Sequence, residues 1–164
     1  STFADKDPKA AAKGFYVIKD FNPSKPRHGY VLVQGSSSTV NLVSILPQLE
    51  EQDVNVKVIA AISDELFQRQ PESYRNSVLP PEALVDMMVV TTGTRRVWPA
   101  QNVGPLTDEY SLTSDWENEW LTGGTEADVI SEAHLDPDSI LNGIKRFASD
   151  HDERISRQQN MLAG

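Results

Sequence analysis

The strongest fold signal in this 164-residue chain is the sequence Tyr30-Val31-Leu32-Val33-Gln34-Gly35-Ser36-Ser37-Ser38-Thr39, residues 30–39. Its apolar run is continuous rather than alternating, as expected of a strand that is buried on both faces of a sheet. The glycine then ends the strand, and the hydroxyl residues after it open a helix whose free N–H groups they can cap. A buried strand that passes directly into a helix is typical of α/β domains.

The same alternation of strand and helix extends to both sides of this stretch. Two further apolar runs, from Val54 to Ile62 and from Val85 to Val90, have the character of buried strands. Phe15–Ile18 is a shorter β-type run, which we expect to pair with residues 30–33 as a hairpin-like edge. Right-handed crossovers place helices on both faces of such a sheet. The sequence therefore predicts a three-layer α/β/α domain with a mostly parallel mixed sheet.

The helices between these strands are marked by apolar spacing and by residues that begin or end helices. Spacing typical of a helix predicts the first one, with the apolar set Val40, Val43, Leu46 and Leu49. Pro47 within this helix predicts a kink or an early end. Ser63-Asp64 caps a second helical stretch, which Pro71 restarts and Pro80-Pro81 ends.

The second half of the chain carries a weaker pattern. Tyr110-Ser111-Leu112-Thr113 is a candidate strand. Asp136-Pro137 begins a final helix, whose apolar stripe consists of Ile140, Ile144 and Phe147. The residues from Asp150 onward are polar, and we expect this segment to fray.

The composition excludes several classes of function. The 24 acidic and 15 basic residues give a formal net charge of −9, which repels a phosphate backbone, so nucleic acid is not an expected partner. The absence of cysteine excludes disulfides, thiolate metal sites and cysteine nucleophiles. No apolar run approaches the ~20 residues that cross a bilayer, and no signal peptide is visible. We therefore expect a cytoplasmic protein without a membrane partner.

One candidate binding site lies where two strands end. The turn 35–39 offers backbone N–H groups and hydroxyls, and the turn 91–96 adds hydroxyls and two guanidinium groups. The carboxyl ends of parallel strands meet at one edge, where open α/β sheets bind ligands. We therefore predict a weak anion site formed by Gly35, Ser36, Ser37, Ser38, Thr94, Arg95 and Arg96. The alternatives are a plain helix cap at the first turn and interdomain or subunit salt bridges at the arginines.

Other motifs give no support for catalysis. His28, His134 and His151 are scattered among loops and a polar tail without metal-ligand spacing, so no metal site is expected. No Gly-x-Ser-x-Gly turn occurs, and a hydrolase triad has no support. Trp116 and Trp120 alternate with acidic residues and are candidate anchors of a protein interface. Packing of both rings against the core is the alternative.

One longer segment resembles a known family. Within residues 62–80, a pattern of transketolase C-terminal domains, S-x-x-L-F-x-x-Q-x-x-x-Y-x-x-x-V-L-P, is matched by Leu66, Phe67, Gln70, Tyr74, Val78, Leu79 and Pro80. Residues 13–17 are similar to the family's K-G-x-Y-V strand, and Gly35-Ser36 is similar to its T-G-S-E-V turn. Residues 135–147 resemble its closing helix. The resemblance implies a linker over 1–13, a transketolase C-terminal-like domain over 14–150 and a polar C-terminal tail over 151–164.

The resemblance implies a function for an intact enzyme rather than for this chain by itself. Enzymes of that family use thiamine diphosphate and Mg²⁺ to transfer a two-carbon ketol unit between sugar phosphates. Their cofactor lies between the N-terminal and middle domains of a homodimer, so those domains are the implied partners. No catalytic, cofactor-binding or metal-binding residue carries over to this chain. The resemblance implies an assembly or regulatory role, and the chain alone is expected to be inactive.

Two departures from the family pattern leave its branch open. Thr91 stands where the family usually has a glutamate, and the D-x-F-G-x-S-A-P segment is not recognisable at residues 114–120. The alternatives are the corresponding domain of a dihydroxyacetone synthase or a keto-acid dehydrogenase. A stand-alone binding or scaffold module derived from this domain is a further alternative.

Overall fold

Five strands form the centre of the domain in the computed structural model, which describes residues 8–94, 105–115 and 123–163. Within those residues the strands are β1 (Phe15–Lys19), β2 (Tyr30–Gln34), β3 (Lys57–Ala61), β4 (Met87–Thr91) and β5 (Leu112–Thr113). The α-helices are α1 (Ser36–Ser44), α2 (Leu46–Glu51), α3 (Asp64–Gln68), α4 (Glu72–Val78), α5 (Pro105–Tyr110), α6 (Glu126–Glu132), α7 (Pro137–Ser149) and α8 (His151–Ala163). Two 3₁₀ helices span Pro8–Lys13 and Pro81–Val85.

The strands lie in the order β1-β3-β2-β4-β5. β2 pairs in parallel with both β3 and β4, and β5 extends the sheet in parallel beyond β4. β1 forms the opposite edge and is antiparallel to β3, with Phe15 opposite Ala61. The expected pairing of β1 with β2 is therefore wrong, because parallel neighbours occupy both sides of β2. The prediction of a mostly parallel mixed sheet is confirmed.

Apolar side chains cover both faces of the sheet, which gives the three layers that the sequence predicts. Successive strand residues point to opposite faces, so Val31 joins one buried cluster and Leu32 joins the other. The first cluster includes Leu42 of α1 and Ile144 of α7. The second cluster includes Phe67 of α3, whose ring stacks on Phe15 at a centroid distance of 4.4 Å. The central strands are thus buried on both sides, in agreement with their continuous apolar runs.

The helical segment after β2 is divided in two. α1 ends at Ser44 with Ile45 as its C-cap residue, and α2 begins at Leu46 with Pro47 in its first turn, where a missing N–H costs no helical hydrogen bond. The early end at the proline is therefore the correct alternative. Leu46 and Leu49 of the predicted apolar set are buried, whereas Val40 is 67% exposed and Leu42, which was not in the set, occupies the core. The buried residues Leu42, Ile45, Leu46 and Leu49 keep a helical spacing across the break.

The segment from Ser63 to the double proline forms the two short helices that the sequence predicts. The Ser63 hydroxyl accepts a hydrogen bond from the Leu66 N–H at 3.3 Å and so caps α3. Pro71 is the N-cap residue of α4. The Tyr74 hydroxyl donates to the Phe15 carbonyl oxygen at 2.8 Å, which ties α4 to the edge strand β1.

The last two helices depart in part from expectation. α7 has the predicted apolar stripe, and its N-cap residue Asp136 accepts a hydrogen bond from the Ser139 N–H at 3.0 Å. Residues 151–163 form α8 rather than a frayed segment, because Arg154 is buried with 2% exposure. Tyr110, expected in a strand, ends α5, and only residues 112–113 extend the sheet. None of the helices in the described part of the chain is long and apolar enough to cross a membrane.

Candidate functional site

The predicted anion site lies at the carboxyl edge of the sheet, after β2 and β4. These strands are in register with Gln34 opposite Thr91, so the turns that follow them are neighbours. Gly35 has φ 95°, and a Cβ atom there would overlap the Thr92 hydroxyl. Only glycine fits at this position, because its conformation is left-handed and the second turn approaches it closely. The structure therefore brings the two turns of the predicted site together.

Several hydrogen bonds connect residues of these turns to one another and to the ends of the two strands. The Thr91 hydroxyl donates to Gln34 Oε1 at 3.1 Å and accepts from the Gly93 N–H at 2.9 Å. Both the N–H and the hydroxyl of Thr39 donate to the Gly35 carbonyl oxygen, at 3.0 and 2.7 Å. No side chain in the described residues caps α1. The first N–H groups of α1 are therefore the donors that an anion would meet at this edge.

The individual residues of the predicted site differ in exposure. Ser36 and Thr94 are exposed, and Ser37 is partly buried. Ser38 is fully buried, and its hydroxyl has no hydrogen-bond partner among the described residues. Arg95 and Arg96, which would supply the positive charge, lie outside the described residues, as do the predicted interface anchors Trp116 and Trp120. Both the anion site and the interface anchors stay predictions.

An apolar groove of about 460 Å³ adjoins the first turn. It runs between the ends of β1, β2 and β3 and the start of α1, with Tyr16, Gly35, Ser36, Val40 and Ile62 in its lining. Val40 is 67% exposed and Ile62 is 53% exposed, so its mouth is apolar. This groove could not be predicted from the sequence, because the helical spacing of Val40 predicts a position in the core.

A second groove of about 600 Å³ lies at the opposite, amino edge of the sheet. Its lining includes Arg27, His28, Gln52, Lys145, Ser149 and His151. The centroids of the His28 and His151 rings are 6.2 Å apart, although the two residues are distant in the sequence and were expected to be isolated. No sequence signal identifies this pair, because one histidine precedes β2 and the other begins α8.

His28 is held in one tautomer by the backbone. Its Nδ1 accepts a hydrogen bond from the Asn55 N–H at 3.0 Å, so the neutral ring carries its hydrogen on Nε2. Burial lowers the pKa of His28, and the adjacent His151 lowers it further. The Asn55 side-chain amide donates to the carbonyl oxygens of Asn22, Lys25 and Pro26 at 2.9–3.1 Å. The loop that carries His28 is thus fixed by one buried asparagine.

Arg154 connects the elements that surround this groove. Its guanidinium donates to the carbonyl oxygens of Phe147 and His28, each at 3.1 Å, and to Asp86 Oδ1 at 2.5 Å. The same group lies 3.6 Å from the centroid of the Phe147 ring. The Asp86 carboxylate also lies 3.5 Å from Nε2 of His151. These contacts join α7, α8 and the amino ends of β2 and β4 into one unit.

Metal-ligand clusters are absent from the described side chains. Within residues 8–94, 105–115 and 123–163, no group of three or more histidine, aspartate or glutamate side chains is placed to hold a metal ion. Asp86 and Asp152 lie near the two histidines of the amino-edge groove, where Asp86 pairs with Arg154 and Asp152 Oδ1 lies 3.0 Å from Nδ1 of His151. The described side chains therefore provide hydrogen-bond donors rather than a metal centre.

Comparison with known proteins gives one family and a consistent set of relatives. The family model described as "Transketolase-like TK C-terminal domain" matches residues 14–113. The transketolase of Mycobacterium leprae is 32% identical over 91 residues, which are 55% of this chain and 13% of that protein. The transketolase of Aquifex aeolicus is also 32% identical over 91 residues, which are 56% of this chain and 13% of that protein.

A solved transketolase from Leishmania mexicana has a similar fold. It superimposes with a TM-score of 0.65 at 18% sequence identity, over 90% of this chain and 20% of that chain. At that identity the likeness concerns the fold. The chain thus spans about 13% to 20% of the length of these proteins.

Proposed function

This chain belongs to the family of transketolase-like C-terminal domains, and we propose that it serves as the non-catalytic C-terminal domain of a transferase of that type. In the proposed enzyme, a two-carbon ketol unit moves between sugar phosphates. The observation that carries the proposal is the family match over residues 14–113. The small share of each relative that the chain spans supports an enzyme that contains further domains.

The chemistry is assigned to the N-terminal and middle domains of the enzyme. Thiamine diphosphate supplies the carbanion chemistry of such transferases when it is bound, together with Mg²⁺. The described residues of this chain do not fit Mg²⁺ and its diphosphate, because no group of three suitable ligands is present among them. We therefore derive no catalytic step through the cofactor on this chain, and its proposed contribution is assembly of the enzyme, with a homodimer as the proposed state.

An activity measurement tests this division of labour. The purified chain is assayed with thiamine diphosphate, Mg²⁺ and a pair of sugar phosphates, alone and after mixing with the N-terminal and middle domains of its parent enzyme. We expect no transfer by the chain alone and transfer by the combined domains. Transfer by the chain alone would overturn the proposal.

An association measurement distinguishes the alternative of a stand-alone binding or scaffold module. We expect the chain to sediment together with the N-terminal and middle domains as one complex. A folded chain that does not associate with those domains, from a gene that encodes no such domains in frame, favours the stand-alone module. The same complex, tested with other donor and acceptor substrates, distinguishes a transketolase from a dihydroxyacetone synthase or a keto-acid dehydrogenase.

A further inference from the structure

The amino-edge groove has the size and the lining of a site for a small polar ligand. Its volume of about 600 Å³ lies within the usual range for small-molecule sites, ~300–1,000 Å³. It lies between the loop that precedes β2 and the corner where α7 meets α8. This position is the edge opposite the predicted anion site, so the two features are separate.

The groove presents several hydrogen-bond donors that the protein itself does not use. Arg27 and Lys145 are exposed, and neither forms a salt bridge with any described residue. The Arg27 guanidinium lies over the Phe21 ring at 4.9 Å, which holds it beside the groove. His28 must keep its hydrogen on Nε2, because Nδ1 accepts from the backbone. Two cations and one fixed imidazole donor therefore line the same space.

Two carboxylates, those of Asp53 and Asp152, also line the groove, and each has a side-chain partner. Asp53 Oδ1 lies 2.6 Å from the Lys25 ammonium, and this hydrogen bond lowers the pKa of Asp53. Asp152 Oδ1 lies 3.0 Å from Nδ1 of His151. Asp53 is thus neutralised by Lys25, and Asp152 extends into water, so Arg27 and Lys145 are the groove cations that have no carboxylate partner among the described residues. Their attraction for an anion acts over a few ångströms, whereas the net charge of −9 is screened beyond ~8 Å at physiological salt.

The donors are also held by a rigid frame, which reduces the entropy lost on binding. Asn55 fixes the loop that carries His28 through three hydrogen bonds to backbone carbonyls. Arg154 fixes the other wall, because it joins α8 to the carbonyl oxygen of His28. Lys145 lies on α7, which packs in the core through Ile144 and Phe147.

We propose that the amino-edge groove binds a small soluble phosphate monoester, with Arg27, Lys145 and His28 Nε2 as the donors to its phosphate group. Arginine and lysine favour phosphate because their charged donors form short hydrogen bonds to its oxygens. The open shape of the groove implies weak binding, with a dissociation constant of about 1 mM. The proposal does not rest on the enzyme that contains this domain.

An NMR titration of the full chain tests the proposal. Glycerol 3-phosphate and inorganic phosphate are added separately at constant ionic strength, with sodium chloride and glycerol as the controls. We expect both phosphates, but neither control, to shift the amide signals of His28, Asn55 and Ser149. Tighter binding of the ester indicates that its carbon skeleton also contacts the groove, and equal binding indicates recognition of phosphate alone; both support the site. Shifts no larger than those in sodium chloride would overturn the proposal.

Variants that remove a positive charge inside the groove are compared with one that removes a positive charge outside it. Lys145→Ala and Arg27→Ala should each weaken phosphate binding by about five-fold or more, as expected for a lost charge-assisted contact. Lys9→Ala, in the 3₁₀ helix Pro8–Lys13 and outside the lining of the groove, removes the same charge and should leave the affinity unchanged. Circular dichroism verifies the fold of each variant, and all three side chains are exposed. Equal affinities in all three variants would overturn the proposal, whether or not the intact enzyme is a transketolase.

Discussion

The Asp86 carboxylate and the Arg154 guanidinium form an interior salt bridge, with 2.5 Å between Oδ1 and Nη1 and side-chain exposures of 15% and 3%. Removal of one partner leaves the other charge buried without compensation. We expect Asp86→Ala to lower the free energy of unfolding by about 3–5 kcal/mol, measured by urea denaturation at pH 7.5. A double variant with Arg154→Met should recover part of this loss, because it leaves no unpaired charge.

The matched control is the exposed pair of Glu65 in α3 and Arg69, the C-cap residue of that helix. Glu65→Ala should change the free energy of unfolding by no more than about 0.5 kcal/mol, since water already screens that pair. If Asp86→Ala costs no more than Glu65→Ala, the interior pair does not hold α8 in place.

A second prediction concerns the close approach of two turns at the carboxyl edge. Gly35→Ala places a Cβ against the Thr92 hydroxyl and forces an L-residue into a left-handed conformation. The expected loss is about 2–3 kcal/mol in the free energy of unfolding. Gly123→Ala is the control, because no atom lies within 4 Å of its added Cβ. Similar stability of the two variants would show that the turns do not meet as described.

A third prediction concerns pH. Burial and the adjacent His151 lower the pKa of His28 below the ordinary value of 6.5, and the Arg154 guanidinium adds to this lowering. The nearby carboxylates of Asp86 and Asp152 act in the opposite direction without reversing it. The unfolded chain therefore binds a proton at His28 more readily than the folded protein does. The stabilisation from neutral His28 is full above pH 6.5 and is lost as the pH falls towards its folded pKa.

The measurement is the urea midpoint of unfolding between pH 7.5 and pH 5.5. We expect a decrease for the natural sequence and a smaller decrease for His28→Asn. Asparagine cannot titrate, and its side-chain oxygen can still accept the hydrogen bond from the Asn55 N–H. Equal pH dependence in the two proteins would contradict the role assigned to His28.

The anion site at the carboxyl edge is tested by the same phosphate titration, read at different amides. Phosphate should shift the signals of Ser37, Ser38 and Thr94, with an affinity of about 1 mM. Arg95→Ala together with Arg96→Ala should abolish these shifts and leave the amino-edge signals unaffected. If the three amides do not shift, the turn at Gly35 is only the beginning of a helix.

The predicted interface anchors are tested by sedimentation of the chain at tens of micromolar. We expect a concentration-dependent dimer that is weakened by Trp116→Ala and by Trp120→Ala, because buried tryptophans are frequent anchors of interfaces. Ile155→Ala, a change of a partly buried residue in α8, is the control for a general effect on stability. A monomer at every concentration, in all variants, would contradict the assignment of the two tryptophans as interface anchors.

The order of the central elements could be predicted because their signals are local. Residues 30–39 carry both the buried strand and the start of α1, and Ser63 lies three residues before the N–H that it caps. The partner of β1 could not be predicted in the same way. Phe15 pairs with Ala61, and only the packing of the whole sheet determines which strand lies between β1 and β2.

The amino-edge groove escaped prediction for a related reason. α8 has a polar sequence, and its docking involves the buried cation Arg154, whose partner Asp86 precedes β4. A charged residue is normally assigned to the surface unless its partner is known. The approach of His28 to His151 follows from that docking, so the sequence does not predict it either.

The position of Arg154 in the chain has a consequence for synthesis on the ribosome. Every strand of the sheet precedes this residue, so the sheet can assemble while the carbonyl of His28 and the carboxylate of Asp86 still lack their partner. Asp86 is then a carboxylate facing an open, partly apolar surface until α8 emerges. A nascent chain paused before residue 154 should therefore expose this surface to chaperones, and emergence of α8 should end that exposure.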